Sequence, residues 1–246
     1  LIGLGLSVHA SAQFYASGGE PASVRWCQIE TAGYRIIYPQ GLDSLARVYA
    51  LNLEQLADVV GNSSGFRPNS CYRKKLPTIL HAHTVNSNGM VAWTPRRMEL
   101  NLIPNTNSPE AQTWERQLAI HESRHVSQMQ FGEYWYFLPL KIISGQLGAG
   151  AMGAIYGGPA FFEGDAVLAE TALSSTGRGR TADFLEYYRV SFAAGDWRNF
   201  WRWRYGSQRH YTPSLYEAGY VAQAGLSAVY NVDFTRHYYE RLHKHR

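Results

Sequence analysis

His121-Glu122-Ser123-Arg124-His125 sets two imidazoles four residues apart, with a carboxylate directly after the first. On a helix that spacing stacks both rings on one face, where their neutral nitrogens can ligate one Zn²⁺ ion while Glu122, one residue round, serves a water molecule as a base. The surrounding residues support the helix. Trp114, Leu118, His121, His125 and Met129 form one stripe, so the histidines interrupt an apolar seam that points inward. Zinc that acts on water needs a third protein ligand and one coordination position left open. Glu163 is the candidate, in Phe161-Phe162-Glu163-Gly164-Asp165-Ala166-Val167-Leu168-Ala169-Glu170, which reads as the start of a second helix with Glu163, Val167 and Glu170 along one stripe. A solvated helix face would space acids the same way, but the aromatic pair before Glu163 favours burial. Glu170 is placed to accept from the second ring nitrogen of a ligating histidine and so fix its tautomer; Asp165 is the alternative.

The ordered set resembles the gluzincin clan of zinc metallopeptidases, in particular the aminopeptidase-N-like enzymes and bacterial peptidase-MA-type domains. In that clan H-E-x-x-H supplies two ligands, and an E-G-x-A-x-x-x-E segment supplies the third; Glu163-Gly164, Ala166 and Glu170 stand in that register. A downstream Tyr-x-x-Gly, matched by Tyr216-Glu217-Ala218-Gly219, gives the family a phenol that assists the oxyanion. The resemblance spans roughly Gly89 to Tyr230. It departs in a longer gap between the histidines and Glu163, filled by a Gly-rich insert, and in Asn88-Gly89-Met90-Val91-Ala92, which lacks the acid of the G-x-M-E-N motif that receives a free amino terminus. The resemblance implies an α+β, thermolysin-like zincin fold and a peptide or protein substrate. It also implies zinc held by His121, His125 and Glu163, Glu122 as general base, and Tyr216 on the transition state. His210 or His237 could take the oxyanion role instead. A second expectation, of a different class, is a non-catalytic zincin-like assembly module of a larger cell-envelope protein.

The elements that must position these residues divide the chain into a sheet-rich part, 13–107, and a helical part, 108–246. Arg35 to Tyr38, Leu76 to His83 and Arg97 to Ile103 read as strands, with a Gly89-containing connection between the last two. The last strand is either interior or an edge open to an extended peptide. Between the first two, Asp43 can cap a helix with Leu45, Val48, Tyr49, Leu53, Leu56 and Val59 inward, closing at Gly61. Ser108 as cap and Pro109 as first residue open the zinc-motif helix, and Thr212 and Pro213 do the same for the helix carrying Tyr216. Ile142 to Phe162 carries no charge and is long enough to span a bilayer, but its six glycines favour an apolar insert packed on the domain over a membrane helix.

With 246 residues and 45% hydrophobic content the chain can bury a sizeable core, and 17% charged residues exclude a disordered, highly charged class. A net charge of +4 without a run of like charges implies no nucleic-acid partner. Arg and Trp interleave across Asp196 to Arg204, a pattern that also serves base stacking, but intramolecular Arg–aromatic packing is the better reading. Leu1 to Val8 followed by Ala10-Ser11-Ala12 reads as a signal-peptide remnant over 1–12, hence an exported, periplasmic, cell-envelope or secreted protein, a setting in which Cys27 and Cys71 more often pair as a disulfide, two free buried thiols being the alternative. Arg246 falls in a charged helical pattern, which suggests a piece of a longer chain.

Overall fold

The structure is a computed structural model that describes residues 19–70, 73–106, 110–130 and 138–244. The expected signal remnant, Cys71 and the expected cap at Ser108-Pro109 lie outside those residues, so Cys27 is seen half-buried in a strand without its expected partner in view. The architecture is α+β, with a mixed five-stranded sheet at the N-terminal side and a helical C-terminal half.

Strands β1 (Trp26–Glu30), β2 (Tyr34–Pro39), β3 (Leu76–His81), β4 (Gly89–Trp93) and β5 (Arg96–Asn101) lie in the order β1-β2-β3-β5-β4. The pairs β2/β3 and β3/β5 are parallel, and the antiparallel strands β1 and β4 close the two edges. Helix α1 (Asp43–Ser64) makes the crossover between parallel β2 and β3, as a parallel pair requires. Two strands were not expected from sequence. β1 is an outer strand with an exposed and half-buried alternation, and β4 occupies the supposed Gly89 connection. The edge that faces the helices is therefore β4, and the 97–103 segment is interior as part of β5.

Helix α1 buries Tyr49, Leu53 and Leu56 as expected, but Val48 and Val59 are on its exposed side, and Ala46, Ala50, Ala57 and Val60 complete the buried stripe. It runs through Gly61 and ends at Gly65, whose φ of 85° supplies the left-handed cap. Asp43 does not cap α1; its carboxylate accepts from the Tyr38 hydroxyl at 2.9 Å. One core joins the sheet to α1 and to α2 (Trp114–Gln130), with Ile36, Leu53, Leu80, Leu100 and Ile120 fully buried, each contributing about 1.5–3 kcal/mol.

α2 begins at Trp114, later than the Ser108-Pro109 signal, because residues 110–113 stay non-helical and Glu110 is used as an acceptor. Its two carboxylate oxygens receive the Gln112 and Gln117 amides at 3.2 and 2.8 Å. The apolar insert becomes α3 (Leu138–Ser144) and the first part of α4 (Gln146–Ala172). Gly158 breaks α4 with φ 69° and ψ 161°, a conformation open to glycine, and Pro159 restarts it as a preorganised first residue. Among the described residues no helix is long and apolar enough to cross a membrane. A 3₁₀ turn (Arg178–Arg180), α5 (Ala182–Ala193), α6 (Phe200–Tyr205), α7 (Leu215–Val229) and α8 (Phe234–Lys244) complete the chain.

Away from the helical half, β3 presents buried His81 to two acids. Its Nδ1 lies 2.9 Å from a Glu20 oxygen and its Nε2 3.1 Å from Glu99, which Arg97 also contacts. Burial opposes the imidazolium, but the two carboxylates outweigh it and raise the His81 pKa, while Glu99 is lowered by His81 and Arg97 against its own burial. A raised histidine contributes fully below its unfolded value near 6.5 and loses that contribution as pH rises through the folded value. His81→Phe is expected to cost about 2 kcal/mol near pH 6, with the gap to the parent closing toward pH 9. Urea midpoints measured across that range check it; a gap that widened with pH would mean that His81 is neutral.

Candidate metal centre

Two helices bring the expected residues to one cavity of about 720 Å³, closed on one side by the β4 edge. α2 supplies His121, Glu122 and His125, and the second segment of α4 supplies Glu163 and Glu170. α7 adds Tyr216 from its first turn, where Ser214, not Thr212, caps the helix by accepting from the Tyr216 amide at 3.3 Å. The glycines after the two functional residues explain how α4 and α7 come close enough. A Cβ on Gly164 would stand 2.1 Å from the Gly219 carbonyl carbon, and one on Gly219 would stand 1.9 Å from the Ala160 oxygen. Each helix thus needs the bare backbone of the other, and the crossing sets Glu163 and Tyr216 at the same cavity.

His121, His125 and Glu163 each offer one ligand atom within 4.8 Å of the others, so this group could hold a metal ion. Its tautomers follow from the hydrogen bonds around it. Gln128 donates its amide to Asp165 at 2.7 Å and to the Phe162 carbonyl at 3.0 Å, which turns its oxygen toward His125. His125 Nδ1–H must therefore donate to Gln128 Oε1, at 2.8 Å. His121 Nδ1–H donates to Glu170 Oε1 at 2.5 Å. Both Nε2 lone pairs then point at each other across 3.0 Å, with a Glu163 oxygen 3.2 and 3.3 Å away. Three electron pairs converging on one point need positive charge between them, and the donor set could hold a metal ion.

The electrostatics show the same pull for positive charge, which in the protein by itself favours protonated imidazoles. Burial alone would keep Glu163 protonated, but His125 and His121 overcome it and hold the carboxyl far below its usual range. Burial resists charge on His121 as well, and Glu170 and Glu163 reverse it, so its pKa is raised. Glu122 behaves differently. It is almost wholly buried, its Oε2 has no hydrogen-bond partner among the described residues, and burial raises its pKa. A Cβ on Gly89 would stand 2.4 Å from Glu122 Oε1, so strand β4 can pass this close only with glycine there. Tyr216 lies with its ring centroid 6.3 Å from that of His121, and burial followed by the charge of Glu163 pushes its phenol upward, keeping it a donor.

Of the two acids weighed for His121, Glu170 is the one hydrogen-bonded to it; Asp165 meets Gln128, which in turn meets His125. His210 and His237 are exposed and do not line the cavity. Two residues were missed. Gln128 stands three residues after His125, a signal no different from any helix-surface glutamine. Arg178, on the 3₁₀ turn, donates to both Glu170 oxygens at 2.6 and 3.0 Å and lies 5.0 Å from the Tyr216 ring centroid. It holds Glu170 ionised, with a pKa lowered to about 2 despite full burial. Its turn seats Gly177 within contact of the Glu170 carbonyl, a tertiary placement with no local pattern. No protein-family model, no curated protein and no solved structure matches the chain.

Proposed function

We propose that the protein is a zinc-dependent peptidase of the gluzincin type, built on a thermolysin-like zincin fold, that hydrolyses peptide bonds with water as the nucleophile. One observation carries the reading: His121 Nε2, His125 Nε2 and a Glu163 oxygen converge in an accessible cavity beside a buried Glu122 oxygen that no described residue hydrogen-bonds. The mixed sheet with antiparallel β4 along the cavity adds support, because its edge can pair with an extended peptide.

His121 Nε2, His125 Nε2 and a Glu163 oxygen would hold the ion, and a two-nitrogen, one-oxygen set suits Zn²⁺ better than Mg²⁺ or Ca²⁺. When bound, the ion supplies a Lewis acid that polarises the scissile carbonyl and eases ionisation of water. Glu122 takes the proton of the attacking water as its oxygen bonds to the carbonyl carbon, then delivers that proton to the leaving nitrogen as the C–N bond breaks. The Tyr216 hydroxyl donates to the carbonyl oxygen while negative charge gathers there. Glu170 and Gln128 keep the rings of His121 and His125 aimed inward.

Elemental analysis and digestion of a peptide library test this directly. One zinc per chain and chelator-sensitive cleavage are expected, with the zinc lost in His121→Ala, His125→Ala and Glu163→Ala and its affinity lowered about 10–100-fold in Glu170→Ala. Undiminished zinc in the histidine variants removes the site. A zinc-loaded chain that cleaves no library peptide favours the assembly module instead. Tyr216→Phe deletes only a hydroxyl, so zinc content is expected to hold while kcat falls on the order of 10²–10³-fold and KM changes little. Stopped assays at saturating peptide check it, and unchanged kcat would take the phenol out of the reaction.

A further inference from the structure

The Arg–Trp segment packs partly on itself, as expected. Arg198 lies 4.4 Å from the Trp203 ring centroid, and Trp203 is buried against Tyr188. The same segment leaves much aromatic surface outside. Trp197 is 73% exposed, and Trp201 and Tyr205 stack on one another at 6.2 Å while remaining 61% and 69% exposed. Phe200 carries this surface into an apolar groove of about 640 Å³ along α7, lined by Phe161, Val221, Leu226, Val229 and Tyr230. Val229 and Tyr230 are themselves more than two-thirds exposed. Continuous aromatic and aliphatic surface of this extent marks a contact site, since soluble surfaces scatter such residues singly.

The charge of the α6 segment is mostly positive. Between 196 and 211 stand four arginines and a single acid, Asp196, to which Arg198 donates in bidentate fashion. Arg202 and Arg209 are exposed. Exposed tryptophan and tyrosine, an aliphatic groove reached through Phe200 and exposed arginines in the same segment match the groups a lipid interface selects, where rings sit at headgroup depth and arginines meet phosphate. A nucleic acid would use the rings and arginines but not the aliphatic groove of Val221, Leu226 and Val229. We propose that this α6–α7 face seats the protein on the surface of a bilayer containing anionic phospholipid. The contact is peripheral, and it stands whether or not the zinc site hydrolyses peptides.

Co-sedimentation of the purified protein with phosphatidylcholine vesicles, alone or mixed equally with phosphatidylglycerol, tests the proposal. Binding to the mixed vesicles is expected to exceed that to phosphatidylcholine by about tenfold or more. Arg202→Gln with Arg209→Gln is expected to lower it roughly 25-fold, from about fivefold per arginine. Trp201→Ser with Tyr205→Ser is expected to lower it at least about tenfold, with circular dichroism unchanged because both side chains are external. Equal or absent binding to the two vesicle types overturns the proposal, as does full binding by the aromatic variant. Patch-dependent binding of a single-stranded oligonucleotide without vesicle binding would reassign the face to nucleic acid. Patch-dependent dimerisation in gel filtration without vesicle binding would reassign it to a second copy.

Discussion

Glu122→Gln is expected to keep its zinc, keep its fold and lose peptide hydrolysis by about 10³-fold, within the 10²–10⁴ range of a positioned general base. The amide fills the same space beside Gly89, and it cannot accept the water proton. The metal-binding group is untouched, because His121, His125 and Glu163 converge without using Glu122. Stability should move the other way. Burial raises the Glu122 pKa, so at neutral pH the ionised carboxylate opposes folding, and the neutral amide relieves that cost. A denaturation midpoint of the metal-free protein at or above that of the parent, together with lost turnover at full zinc occupancy, is the expected pair. Hydrolysis within tenfold of the parent would move the base to another residue.

Much of this site was legible because helices repeat. His121, His125 and Glu122 needed only a four-residue spacing, and Glu163 and Glu170 needed a second helical stripe. The glycines were legible as motif positions, but their reason is tertiary: Gly164 and Gly219 are where α4 and α7 touch backbone to backbone. Strand β4 left little trace, since Gly89-Met90-Val91-Ala92 is half-buried throughout and shows no alternation between wet and dry faces. Its glycine answers to Glu122, thirty-odd residues away in the chain. Helix α2 starts at Trp114, after a stretch over 110–113 in which Glu110 engages the Gln112 and Gln117 side chains. Arg178 and Gln128 could not be found from spacing because each acts on a partner set by packing, Arg178 on Glu170 and Tyr216, Gln128 on His125 and Asp165.

The largest stability effect is expected at Arg124, a residue inside the His-Glu-x-x-His run with no part in ligation. It is buried with Asp165, to which it donates from Nε at 2.8 Å and from Nη2 at 2.7 Å, and it donates from Nη1 to Ser63 at 2.8 Å. The pair ties α2 to α4 and α1, and the Tyr239 hydroxyl on α8 approaches the same carboxylate at 3.4 Å. Arg124→Met strands a carboxylate that has no water to turn to, which is expected to cost about 3–5 kcal/mol in urea unfolding of the metal-free protein. Arg124→Met with Asp165→Leu removes both charges and is expected to regain at least half of that, since desolvating the pair offsets much of its attraction. Metal affinity should not follow stability. Without Asp165, Gln128 keeps only the Phe162 carbonyl as acceptor, so its grip on His125 loosens and zinc should bind more weakly in the double variant than in the parent. A double variant as unstable as Arg124→Met would show that the pair is needed for its geometry, and one with parental zinc affinity would free Gln128 from Asp165 altogether.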